Sequence, residues 1–171
     1  MNLYKIIAIL AVVFFGQSAF GQKDANKIIT SQYEIGFDKS LFDYYDLKEK
    51  GFVIFYKNLG DTGFTDCIRL TVEKADKYKS MDLDYYASII SGLRANDYTI
   101  IENKKISSPG KTPYYLLVYE KTLAEIKIKA QERIYFTDHF GFKLRFVTVD
   151  RLYDQLRPDA EKILDGFKLL D

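Results

Sequence analysis

The chain has 171 residues, with 25 Lys and Arg against 24 Asp and Glu, 14 Tyr, 13 Phe, one His and one Cys. That near-neutral balance gives no overall pull toward nucleic acid or an anionic membrane. A single Cys excludes an internal disulfide, and a single His leaves any metal site dependent on carboxylates for its remaining ligands.

The first 21 residues read as a secretory signal peptide. Lys5 precedes the apolar run "IIAILAVVFF", and small or polar residues follow it. Ala19 and Gly21 hold the positions where a signal peptidase takes small side chains, so cleavage is expected between Gly21 and Gln22. The run is about 10 residues, half of what a spanning helix needs, and no later segment is long enough to cross a bilayer. Loss of Lys5 leaves a mature chain of zero formal charge, exported to the periplasm or beyond the cell. Residues 22–32 are polar and are expected to be loosely held. Residues 33–171 carry no repeat, linker or low-complexity stretch and read as one domain, a size that buries a substantial core.

Strand signals dominate that domain. "GFVIFYK" (51–57) is aromatic and β-branched. "CIRLTVE" (67–73) alternates, with Cys67 as a small half-buried filler. The spacing of Leu83, Tyr86, Ile90 and Leu93 then marks a helix near 82–95, with Asp82 as N-cap and Asn96 and Asp97 at its end. "YTIIENKKI" (98–106) and "YYLLVYE" (114–120) flank the turn "SSPGKTP". "IKIKAQERIYF" (126–136) alternates throughout, and after the turn "TDHFG" so does "FKLRFVTV" (142–149). The last helix is expected near 158–167, with Pro158 in its first turn and Ala160, Ile163, Leu164 and Phe167 as its apolar stripe. Strands, a helix, a run of four strands and a closing helix predict an α+β fold, an antiparallel sheet with helices packed on it.

Three segments carry a further resemblance. They are "SMDLDYYASIISGLRANDYTIIENKKI", a helix running into a strand, "GKTPYYLLVYE", a turn and core strand, and "EKILDGFKLL", a closing helix with its terminal Phe. Over residues 33–170 their arrangement resembles the PsbP-like family, which shares an α-β-α sandwich with the Ran-binding import factor Mog. The resemblance implies an accessory or partner-binding role and supplies no catalytic residue to carry over.

The residues themselves offer little chemistry. His139 reads as a solvent-facing turn residue. "NLGDTGFTD" lacks the alternating acids and closing Glu of an EF-hand and reads as a turn. Ser88, Ser91, Ser107 and Ser108 have no adjacent activating partner. Acid pairs such as Asp82/Asp84 and Glu120/Glu125 arise by chance among 24 acids. No phosphate loop, metal cluster or cofactor motif is present.

One pattern points to binding. Lys127, Lys129 and Arg133 alternate on one long strand, and Lys143 and Arg145 on the next. If the two pair as a hairpin, the five cations share a face without an acid between them, Glu132 lying opposite. Tyr115 and Tyr119 of the preceding strand add stacking area to that candidate binding face. The bland alternative is an ordinary solvated face, or basic stems covering apolar surface. The function expected is a non-enzymatic exported domain binding a protein or envelope component. The alternatives are a small-ligand carrier with an aromatic-lined pocket and, beyond that, a carboxylate-dependent hydrolase.

Overall fold

The computed structural model describes residues 27–39, 41–47, 52–58, 65–74 and 81–170. The signal segment, the Gly21–Gln22 junction, most of "NLGDTGFTD" and the Cys67 side chain lie outside the described residues.

Among the described residues, ten strands and two helices form in the order β1 (Lys27–Ile29), β2 (Tyr33–Gly36), β3 (Asp43–Leu47), β4 (Phe52–Asn58), β5 (Thr65–Lys74), α1 (Leu83–Ala95), β6 (Thr99–Ile106), β7 (Tyr114–Leu123), β8 (Ile126–Phe136), β9 (Phe140–Val149), α2 (Asp150–Asp165) and β10 (Phe167–Leu169). The large sheet has seven strands, ordered β3-β4-β5-β9-β8-β7-β6, and a small one is ordered β1-β2-β10. Every pairing is antiparallel. The α+β class and the antiparallel sheet read from the alternation are therefore the observed ones.

Both faces of the large sheet are covered where β8 runs. On one face α1 lies over β6, β7 and β8, enclosing Tyr86, Ala87, Ile90, Leu117, Tyr119, Ala130 and Ile134. On the other, α2 and the small sheet close over β8 and β9, with Phe142, Leu144 and Phe146 packed among Ile35, Tyr153, Ile163, Leu164 and Phe167. A layer on each side explains why β8 is buried from Ile128 to Tyr135, apart from Lys129.

Local chemistry sets the helix ends. The Asp82 carboxylate accepts from the Tyr85 N–H at 2.8 Å, satisfying a donor of the first turn as an N-cap should. Asn96 is the C-cap, as its position suggested. Leu93, expected on the apolar stripe, is instead 57% exposed.

Two sequence expectations need correction. The closing helix begins at Asp150, directly after β9, and ends at Asp165. Pro158 sits in its interior, and Phe167 belongs to β10. An interior proline costs about 3 kcal/mol through its lost N–H and ring clash. The apolar stripe of Tyr153, Leu156, Ala160, Ile163 and Leu164 spans the proline and offsets that cost by burial. Nor is the segment before Tyr33 loose throughout. Lys27–Ile29 pairs with β2, and Ile28 is buried.

Candidate functional site

The β8–β9 register decides where the predicted basic face goes. Phe136 pairs with Gly141, so Arg133 faces Leu144, Glu132 faces Arg145 and Ile134 faces Lys143. Residues directly opposite each other in an antiparallel pair project to the same side. Lys127, Lys129 and Arg133 therefore lie on the α2 side, and Lys143 and Arg145 on the α1 side. The single five-cation face does not form. "TDHFG" as a five-residue turn would have paired Phe136 with Phe142. The connection is one residue shorter, closed by the Thr137 N–H donating to the Phe140 carbonyl at 2.8 Å. One residue of register exchanges the two faces of a strand.

The cations also have acids among them. Lys127 pairs with Glu120 at 2.8 Å and reaches Asp150 at 3.9 Å. Lys143 pairs with Glu73. The Lys129 ammonium lies 4.5 Å from the centroid of the Tyr153 ring. Tyr115 and Tyr119 face Ile134 and Ala130, which places both on the α1 side. Tyr119 is buried, and its hydroxyl donates to Glu132 at 3.1 Å. Burial and the neighbouring Glu132 carboxylate push that phenol well above its ordinary range. Glu132, 1% exposed, also accepts two bonds from Arg94, at 2.8 and 2.9 Å. This bidentate lock ties α1 to the sheet. His139 is exposed in the β8–β9 turn, its N–H directed at the Thr137 hydroxyl.

Arg133 is the functional candidate that the α2 side keeps. It is 6% exposed, which is rare for a charged side chain unless it is paired. Its Nη1 lies 2.7 Å from Asp165, and Nη2 donates to Glu161. Both acids belong to α2 and stand four residues apart, one turn on one face. Burial alone would lower the guanidinium's pKa, but Glu161 and Asp165 outweigh it and hold it raised. Arg133 Nε is buried without a hydrogen-bond partner among the described residues. The guanidinium lies over the Tyr114 ring, 5.0 Å from its centroid. Tyr114 in turn lies 5.2 Å from Tyr135, and Tyr135 lies 5.0 Å from Phe167.

This row of one guanidinium and three rings lines a cleft of about 490 Å³. One wall is β10, through Phe167, Lys168 and Leu169. The facing wall is the β6–β7 turn, through Ser108, Gly110, Lys111 and Thr112. Gly110, with φ of 71°, adopts the left-handed conformation that this turn requires. Sequence reasoning named Arg133 but not the cleft. The signals available in the sequence were the aromatic pair at the start of β7 and Glu161 and Asp165 one turn apart; the place of Phe167 beyond the helix was not among them.

Among the described residues the carboxylates with displaced pKa values do not form an acid-base pair. Glu34 is held below the ordinary range by Lys168 and Lys27, and Asp84 by Lys105. Among the described residues no group of three or more His, Cys, Asp or Glu is placed to hold a metal, and no helix is long and apolar enough to cross a membrane.

No family model and no curated protein sequence matches the chain. Solved structures do. The fold is PsbP-like. The solution structure of cyanobacterial PsbP (CyanoP) from Synechocystis matches with a TM-score of 0.51 at 15% identity, over 91% of this chain and 99% of that one. The structure of LpqN, involved in cell envelope biogenesis of Mycobacterium tuberculosis, matches at 0.63 and 10% identity, over 88% of each. A crystal structure from Bacteroides thetaiotaomicron matches at 0.52 and 10% identity, over 85% of this chain. The chain spans about half, 48%, of that protein's length.

Proposed function

We propose that the protein is an exported, non-enzymatic accessory domain that holds a protein or envelope component in the cleft between β10 and the β6–β7 turn. The observation that carries this reading is the row of Arg133, Tyr114, Tyr135 and Phe167, an aromatic floor built around a charge that two acids keep in place. Binding sites combine apolar and aromatic lining with a few fixed polar groups in this way. The sequence of the first 21 residues supports export, and the fold shared with LpqN, a protein of cell envelope biogenesis, is compatible with an envelope role. The lack of a nucleophile-base pair in the sequence favours binding over catalysis.

Placing a photoreactive side chain at Thr112, on the cleft wall, tests this in intact cells. A discrete cross-linked product from the exported fraction is expected. It should be lost with Tyr114→Ala and absent when the probe sits at Leu93, exposed on α1. Equal yields from Thr112 and Leu93 would sink the assignment of the cleft.

A further inference from the structure

Among the described residues β10 is an edge strand of its sheet, and that edge borders the cleft. The Gly36 N–H donates to the Gly166 carbonyl at 3.0 Å, and the Leu170 N–H donates to the Gln32 carbonyl at 2.9 Å. Lys168 pairs with Glu34 between those positions. Hydrogen-bonded pairs alternate along an antiparallel ladder, so residues 166, 168 and 170 direct their backbone groups at β2. Phe167 and Leu169 direct theirs the other way. No described strand receives them, since β10 ends its sheet. Phe167, Lys168 and Leu169 all line the cleft. Among the described residues its wall is thus a strand edge whose outward N–H and C=O groups pair with no other strand, a template for pairing with another chain.

We infer that the cleft takes an extended peptide segment of a partner protein, added as a strand to β10, with one apolar side chain on the Tyr114–Tyr135–Phe167 floor. This rests on the reading of the cleft as the binding site and names its ligand class. The lining carries Lys111, Arg133 and Lys168 against the single acid Asp165. Lys168 already reaches Glu34 at 3.2 Å, and Arg133 is held by Glu161 and Asp165. Lys111, exposed on the turn, has no acidic partner among the described residues. The matching peptide therefore carries an acidic residue beside its apolar anchor. Main-chain pairing supplies affinity in strand addition, and pockets for alternate side chains supply specificity.

The test is a selection of displayed random heptapeptides against the purified protein, followed by affinity measurements on the enriched sequence made as a synthetic peptide. Leu169→Pro removes one outward N–H while leaving the ladder to β2 intact, because that residue makes no bond to β2; proline is tolerated on sheet edges. The expected result is an enriched peptide with an apolar and an acidic residue, whose affinity falls at least tenfold with Leu169→Pro at an unchanged melting profile. The same peptide with backbone N-methyl groups at alternate positions should lose a comparable factor, independently of how the variant folds. Lys111→Glu should weaken it as well. If the enriched peptide binds Leu169→Pro and survives N-methylation undiminished, yet is lost with Tyr114→Ala, the cleft stands as the site and strand addition is refuted. If no peptide is enriched, the peptide assignment is likewise overturned, while the cross-link from Thr112 judges the cleft separately.

Discussion

Replacing Arg94 with Met strands the carboxylate of Glu132. That carboxylate is 1% exposed and accepts two bonds from Arg94 and one from the Tyr119 hydroxyl. Removing one partner of a buried pair costs about 3–5 kcal/mol when the charge is left uncompensated; Arg145, opposite Glu132 in the ladder and interacting with Tyr119, holds the cost toward the lower end. The reverse change, Glu132→Gln, is milder. The Arg94 side chain is 24% exposed and can turn its charge to solvent, leaving mainly lost hydrogen bonds, at about 1–3 kcal/mol. In the double variant Arg94→Met/Glu132→Leu both charges are gone. The buried Tyr119 hydroxyl then lacks its acceptor, at about 1–3 kcal/mol. Urea unfolding of the three variants gives the cycle. The expected order is Arg94→Met as the least stable single variant, with a double variant no worse than it. Two singles that simply add in the double would refute the lock, since independent sites add and coupled ones do not.

Three other outcomes follow from the same structure. Ala124 and Glu125 form the β7–β8 turn with φ of 44° and 71°, a conformation that glycine adopts freely, so Glu125→Gly should raise stability by about 0.5–1 kcal/mol in urea unfolding. A Cβ at Gly141 would lie 2.5 Å from Cζ of the fully buried Tyr86, and Gly141→Ala should cost about 1–3 kcal/mol by the same assay. Burial pushes the Tyr135 and Tyr153 phenols up to about 12 from an ordinary 10.0. Because the folded state holds those protons more tightly, the stability they contribute is complete below about pH 10 and is lost as pH rises through about 12. Absorbance titration should show both ionising after the exposed tyrosines, and Tyr135→Phe should soften the alkaline loss of stability.

The alternation of β8 and β9 was legible because a period of two needs only the local sequence. Which face of β8 meets which face of β9 was not. That depends on whether Phe136 pairs with Gly141 or Phe142, a difference of one residue settled by the hydrogen bonds of Thr137. The burial of Gln131 and Arg133 was equally hidden, because it needs α2 and the small sheet overhead. Their partners are visible only afterwards. The Gln131 amide donates to Glu161 at 2.8 Å, and its carbonyl accepts from the Tyr153 hydroxyl at 2.9 Å. The start of α2 was misplaced by weighting Pro158 above the stripe that continues through it. β10 was absorbed into that helix because the Gly166 backbone, within 3.0 Å of Gly36, is a long-range contact that no local pattern announces.

The most direct measurement of the cleft's role is amide hydrogen exchange, with and without the partner recovered by the Thr112 cross-link. Slowed exchange confined to the β6–β7 turn, the C-terminal turn of α2 and β10 is expected, with Leu169 among the protected amides. Slowed exchange across α1 and the exposed side of β6, with those three segments unchanged, would place the interface on the opposite face and contradict the role assigned to the cleft.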